Sequence, residues 1–160
     1  MLFGDAVDLE HFRQDIDQGR DGLYSALQLS AGNVFLDGKL VVQLGGKVFG
    51  DNTDDIQYSH DGYGWFAGLS ITPLSDISVY ARANETHFNY DGPADGTGTP
   101  GITREEREMH CTVGADYALR YKWLDGFVIR GMYEYTDNNS TVAFYEYIRK
   151  QLTFTLSRRF

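Results

Sequence analysis

The sequence predicts an all-β protein whose strands run up and down as an antiparallel meander, with about seven or eight strands visible. Two observations support this fold class. Apolar and polar residues alternate along most of the chain, which places the apolar side chains of a strand on one face. The chain also has 11 Tyr and 10 Phe but only 3 Pro among its 160 residues, and strands favour aromatic residues and exclude Pro.

The alternation divides the chain into seven segments, each with an apolar and a polar register. In the clearest segment, Met109, Cys111 and Val113 alternate with His110 and Thr112. Most segments run for about nine to fourteen residues, which is longer than an average strand and long enough to cross a bilayer at a tilt. The seven segments cover residues 23–31, 39–48, 63–72, 77–84, 109–121, 127–135 and 147–160.

The connectors between these segments alternate in length. Short connectors are expected at 33–37, 73–76 and 122–125, and long ones at 50–61, 90–108 and 137–145. Tight turns on one side and long loops on the other are typical of β-barrels that cross a membrane. The sequence therefore predicts an up-and-down transmembrane β-barrel, in which residues 1–160 form a single domain. Within it we expect residues 1–21 to be an extracellular-loop-like start and residues 22–160 to supply the strands.

The number of strands has its own consequence. Bacterial barrels made from a single chain have an even number of strands, whereas seven are visible here. We therefore expect the chain to be the C-terminal part of a larger barrel. The alternative is an eight-stranded barrel with a stunted first strand supplied by residues 1–4.

Several function classes find no support in the composition and motifs. A net charge of −9 argues against binding to nucleic acid, which needs a positive surface. Cys111 stands alone, so the chain has no internal disulfide and no zinc cluster built from cysteines. The four histidines lack metal-ligand spacing, and no nucleophile elbow or phosphate loop occurs. We therefore expect no enzyme activity, no cofactor and no metal.

The polar register of the predicted strands points to a function, because it would face the interior of a barrel. It contains more bases than acids although the chain as a whole is acidic. A basic wall attracts anions, so we expect a lumen that passes polar or anionic solutes. The alternative is that these bases pair with neighbouring acids and only fill the interior. The candidate lumen residues are Lys39, Lys47, Arg82, Arg120, Arg130, Arg149, Arg159, Asp116 and Glu134.

Aromatic residues lie near the ends of the predicted strands. Tyr and Trp prefer the interface between membrane and water, so these residues are candidates for an aromatic girdle. They are Tyr63, Trp65, Tyr117, Tyr121, Trp123, Phe127, Tyr133, Tyr135 and Phe160.

The C-terminus resembles the last strand of Gram-negative outer-membrane proteins. It ends in Phe160, preceded by Leu152, Phe154 and Leu156 at alternate positions, while Arg158 stands where that signature usually has an apolar residue. The resemblance implies that Phe160 is an assembly signal read by the barrel-assembly machinery. It also implies a location in the bacterial outer membrane, with its lipid and lipopolysaccharide as neighbours.

Residues 60–160 are similar, through short motifs in a fixed order, to β-barrel porins of the porin-2 type. This resemblance implies porin-like passage of solutes. Two alternatives stay open. One is an export-associated or structural outer-membrane barrel, for example in exopolysaccharide secretion, and the other is a soluble all-β binding module. The similar stretches are residues 68–73, 104–108, 113–117, 122–124, 133–135 and 137–140.

Overall fold

The chain forms one antiparallel sheet of eight strands, in which each strand pairs with the next along the chain. The computed structural model describes residues 2–14, 22–93 and 101–158, and gives side chains for 22–92 and 101–158. No helix in these ranges is long and apolar enough to span a membrane. The strands are β1 Leu2–Gln14, β2 Gly22–Phe35, β3 Leu40–Thr53, β4 His60–Leu74, β5 Ile77–Pro93, β6 Thr103–Ala118, β7 Phe127–Ser140 and β8 Tyr147–Arg158.

The predicted all-β meander is confirmed, and the seven alternating segments correspond to β2–β8. The start of the chain differs from the expectation, because β1 occupies Leu2–Gln14, which the sequence places in a loop. Its apolar register is short, because Val7 and Leu9 are followed in that register by His11 and Arg13. Backbone pairing with β2, which runs without a break from Ala6 to Gln14, nevertheless makes this segment a strand.

The strands also extend into the segments predicted as long loops. β5 reaches Pro93, β6 begins at Thr103, and β7 runs to Ser140. The connections 54–59 and 141–146 are consequently shorter than expected, and 119–126 is longer. We call the end of the sheet where β3 connects to β4 and β7 connects to β8 the loop end, and the opposite end the turn end.

The sheet is open. Across residues 2–14, 22–93 and 101–158, each strand pairs only with its sequence neighbours, and no pairing joins β1 to β8. The closed barrel expected from the sequence is therefore not formed by the described residues. Closure depends on pairing the first strand with the last, and the alternation within single strands carries no information about that pairing.

The two faces of the sheet differ in burial. Small and medium side chains such as Thr86, Thr136 and Asn138 are nearly inaccessible on one face, at 3–5% exposure. No described element packs against that face, because the strands contact only their neighbours and the short turn Ala143–Tyr145. The sheet must therefore curl around this face, which we call the concave face, and the opposite one the convex face.

Aromatic rings packed over glycines crowd the concave face. Phe49 lies opposite Gly62, and Phe66 lies opposite Gly45 in directly paired positions. A Cβ atom added to either glycine would overlap the facing ring. These two aromatic–glycine pairs let rings of one strand lie flat on the backbone of the next, and Phe49 and Phe66 are only 7% and 6% exposed as a result.

Candidate functional site

The convex face carries an uncovered apolar band. Directly paired residues share a face, so the row Val42, Leu69, Ala81, Val113, Tyr133 and Leu152 crosses six strands on this side. Most large apolar side chains of the band are more than a third exposed. Examples are Leu29, Leu44, Val48, Tyr63, Leu69, Val113, Ile129, Leu152, Phe154 and Leu156. This arrangement reverses that of a soluble sheet, whose apolar face is covered.

The upper limit of the apolar band is oblique to the rows of paired residues. In β3 and β4 the band reaches Val48 and Tyr63, but the same row continues through His87 and Arg107 in β5 and β6. In β8 the unbroken apolar run ends at Leu152, because the next residue of that face toward the loop end is Lys150, although Ile148 beyond it is apolar and 64% exposed. The polar limit of the convex face therefore lies nearer the turn end in β8 than in β4, although it shifts unevenly between them: it follows Ala83 in β5 and Met109 in β6.

The slope of this limit follows from the register. Leu152 shares its row with Leu69, which is six residues along β4 from Tyr63. Six residues span about 20 Å along a strand, and the four steps from β4 to β8 span about 19 Å across the sheet. The band therefore crosses the strands at about 45°, close to the tilt of about 35–45° that strands of membrane barrels have.

Aromatic residues lie along the margins of this oblique band. Tyr63 and Trp65 mark its loop-end margin in β4, and Tyr135 marks it in β7. Tyr117 lies at the turn-end margin in β6, and Phe127 does so in β7. Of the other girdle candidates, Tyr121 and Trp123 lie in the connection 119–126, 70% and 79% exposed, and Phe160 lies outside the described residues.

The concave face brings together most of the predicted lumen residues. Lys39 and Arg120 lie in connections at the turn end, just outside β3 and β6, so the strand register does not assign them to a face. Arg120 there donates to the backbone oxygen of Ser75 at 3.1 Å. Arg159 lies outside the described residues. The residues in the expected register are Lys47, Arg82, Asp116, Arg130, Glu134 and Arg149.

Acids and bases are unevenly distributed across the concave face. Asp116 accepts two hydrogen bonds from Arg130, both 2.7 Å long, so this pair neutralises itself. Glu134 lies 3.8 Å from Nε2 of His110, and Glu108 accepts a 2.6 Å hydrogen bond from Tyr147. The acids on β6 and β7 therefore have partners within the sheet.

The β3–β5 part of the concave face holds two bases that lie over aromatic rings rather than beside acids. The Nζ atom of Lys47 lies 4.9 Å from the ring centre of Phe49, and the Arg82 guanidinium lies 5.0 Å from that of Phe66. Neither base forms an ion pair within the described residues. From the row of paired residues that contains Phe49 to the row that contains Val41, no concave residue of β2–β5 is an acid. This region of the concave face is therefore net positive.

A further half-buried base was missed because it falls in a predicted loop. Arg104 lies at the loop end, with its guanidinium 3.4 Å from the ring centre of Tyr90 and 4.2 Å from that of Tyr145. Glu106 approaches its Nε atom at 3.2 Å, and Asn138 donates to the backbone oxygen of Tyr145. Burial raises the pKa of Glu106, which lies beyond the apolar band, although Arg104 opposes that shift.

We expect Arg104→Gln to lower the free energy of unfolding by about 1–2 kcal/mol, because a half-buried cation between two rings is lost. Arg107→Gln is the matched control on the same strand. Arg107 faces the convex side, is 55% exposed and pairs with Glu85 at 2.7 Å, so its loss should cost about 1 kcal/mol or less. Urea unfolding in detergent, followed by tryptophan fluorescence, measures both. A greater loss for Arg107→Gln would contradict the proposed packing of Arg104.

Comparison with known proteins adds no relative. No family model matches the chain, and no curated protein or solved structure matches it either. Among the described residues, no group of three His, Cys, Asp or Glu side chains is arranged to hold a metal ion. Interpretation of the site therefore depends on the two faces of the sheet.

Proposed function

We propose that the chain is part or all of an outer-membrane β-barrel whose concave face lines a passage for polar or anionic solutes. The observation that carries this proposal is the exposed apolar band on the convex face. Its length along β6, from Met109 to Tyr117, is about 26 Å, which is about 20 Å across a membrane at a tilt of 40°. Lipid is the solvent in which such a band is stable, because it removes the band from water.

The oblique limit of the band supports the same proposal. In a soluble sheet that packs its apolar face against another layer, the boundary between apolar and polar residues is not expected to cross the strands at the tilt of a membrane barrel. In a barrel, by contrast, a horizontal bilayer cuts tilted strands at heights that shift from one strand to the next. Tyr63, Tyr135, Tyr117 and Phe127 at the margins of the band are placed as interfacial aromatic residues would be.

The concave face supports passage of solutes rather than a sealed core. It combines polar residues, glycines and the bases Lys47 and Arg82, which form no ion pair within the described residues, and the net positive region around them favours anions. Passage of solutes also agrees with the resemblance to porin-2 porins, which stays a prediction. We therefore propose the barrel-assembly machinery and outer-membrane lipid as partners of this chain.

Planar bilayers test this function directly. We expect the purified full chain to conduct and to give a reversal potential that favours anions in a salt gradient. Lys47→Gln with Arg82→Gln should shift that potential toward cations, and less so at high salt because charges are screened. The control is Lys39→Gln with Arg120→Gln, which removes the same charge from the turn end and should leave the preference unchanged.

Two outcomes would contradict the proposal in different ways. A chain that inserts into bilayers but never conducts would favour an export-associated or structural barrel. A chain that remains a stable monomer in buffer without detergent would favour a soluble binding module.

A further inference from the structure

A small cavity on the concave face is lined by residues of the four neighbouring strands β2–β5. Its volume is about 150 Å³, enough for one small polyatomic ion and water. Nearly all of the side chains around it offer hydrogen-bond donors, and the exception is an aromatic ring. The residues that line it include Gln28, Lys47, Phe66, Arg82, Asn84 and Thr86.

The two bases of this cavity lack the counter-charge that Arg130 has in Asp116. Lys47 and Arg82 border the same space but form no ion pair within the described residues. Two like charges that share a partly enclosed space repel each other, and an anion between them relieves that repulsion. In β1 the register aligns Asp8 with Gln28, which makes Asp8 the acidic position nearest to the cavity by register.

The aromatic rings of this region are not free to stack on a ligand. Phe49 and Phe66 are 7% and 6% exposed, and each has a cation over its ring. A sugar ring or a nucleobase therefore finds no open aromatic surface here. What the cavity offers is charge and hydrogen-bond donors, from Lys47, Arg82 and the amides of Gln28 and Asn84.

We propose that this cavity is a binding site for one small oxyanion group, a carboxylate, phosphate or sulfate, on the solute path of the concave face. Only the role of this site along a passage rests on the proposed function. Binding of the anion itself requires only that the sheet is folded. Charge-assisted hydrogen bonds from Lys47 and Arg82 hold the anion, and the amides of Gln28 and Asn84 complete its shell. The group belongs either to a free inorganic ion or to a larger acidic solute.

Calorimetric titration of the full chain folded in neutral detergent tests the site. The probes are inorganic sulfate, glucuronate and, as the uncharged control, glucose. We expect saturable binding of the two anions, weakened by added salt, and none of glucose. Tighter binding of glucuronate than of sulfate assigns the group to an organic solute, and the reverse order assigns it to a free ion.

Variants locate the binding. Lys47→Gln and Arg82→Gln should each raise the dissociation constant about tenfold, because each removes a charged hydrogen-bond donor. Lys47→Arg should keep the affinity within about threefold, and circular dichroism establishes that each variant is folded. Arg149→Gln, which removes the same charge elsewhere on the concave face, should leave binding unchanged. Asp8→Asn should leave it unchanged or tighten it.

Absence of saturable anion binding, or an equal loss in Arg149→Gln, would overturn the site in favour of a diffuse positive field. These results are separable from those on the proposed function. A chain that conducts in bilayers but binds no anion retains the function and loses the site. A chain that binds anions in detergent but never inserts into lipid retains the site and loses the function.

Discussion

Leu44→Arg is expected to lower the free energy of unfolding in lipid bilayers by about 2–4 kcal/mol, the cost of a charge facing lipid near the middle of a barrel wall. Leu44 lies on the convex face, is 60% exposed, and is flanked in its row by Ala31 and Ala67. Urea unfolding in phospholipid vesicles, followed by tryptophan fluorescence, measures the loss.

Gln43→Arg is the control for this substitution. Gln43 is the preceding residue of β3 and is also exposed, but it lies on the concave face opposite Gly32 and Gly68. The new guanidinium there meets water and polar groups, so we expect a loss of less than about 1 kcal/mol. Equal losses at the two positions would contradict the assignment of the convex face to lipid.

Gly62→Ala is expected to lower the free energy of unfolding by about 1–3 kcal/mol, because the concave face has no room for a Cβ atom there. The added atom would overlap the backbone oxygen of His87 and the buried ring of Phe49. The backbone of β5 cannot move away without breaking its pairing with β4. The same unfolding measurement in detergent quantifies the effect.

Gly68→Ala separates this steric effect from the general effect of replacing a glycine in a strand. Gly68 lies on the same strand and the same face, but its added Cβ atom would meet only the backbone oxygen of Ala81, at 3.8 Å. We expect this variant to be unchanged or slightly more stable, because Ala has less backbone freedom to lose on folding. A loss as large as that of Gly62→Ala would argue against the tight packing of Phe49 over Gly62.

The strands and their faces could be predicted from the sequence because alternation is a local property. Val113 and Thr112, for example, lie on opposite faces as the pattern predicts. β1 escaped prediction because its apolar register holds only Val7 and Leu9 before His11 and Arg13 interrupt it, so that pairing with β2 defines it as a strand. Lys39 lies just outside β3, where alternation along the strand does not determine which face a side chain takes.

The partners of the site residues could not be predicted, because they depend on register between strands. Arg104 lies between Tyr90 and Tyr145, which are far apart in sequence and meet only when β5, β6 and the turn before β8 are aligned. The cavity beside Lys47 and Arg82 likewise depends on the paired positions of β2–β5. The excess of bases in the predicted polar register did not indicate which of these bases would form no ion pair within the described residues.

The oblique apolar band also sets the geometry that any closure of this sheet must have. Its net descent of six residues from β4 to β8 corresponds to an average shear of about one and a half residues per strand. Carried around eight strands, that shear displaces the first strand from the last by about twelve residues, as many as β8 contains. Direct closure would therefore join only the loop-end half of β1 to the turn-end half of β8. The other half of each edge would keep its backbone groups free to pair with a further strand.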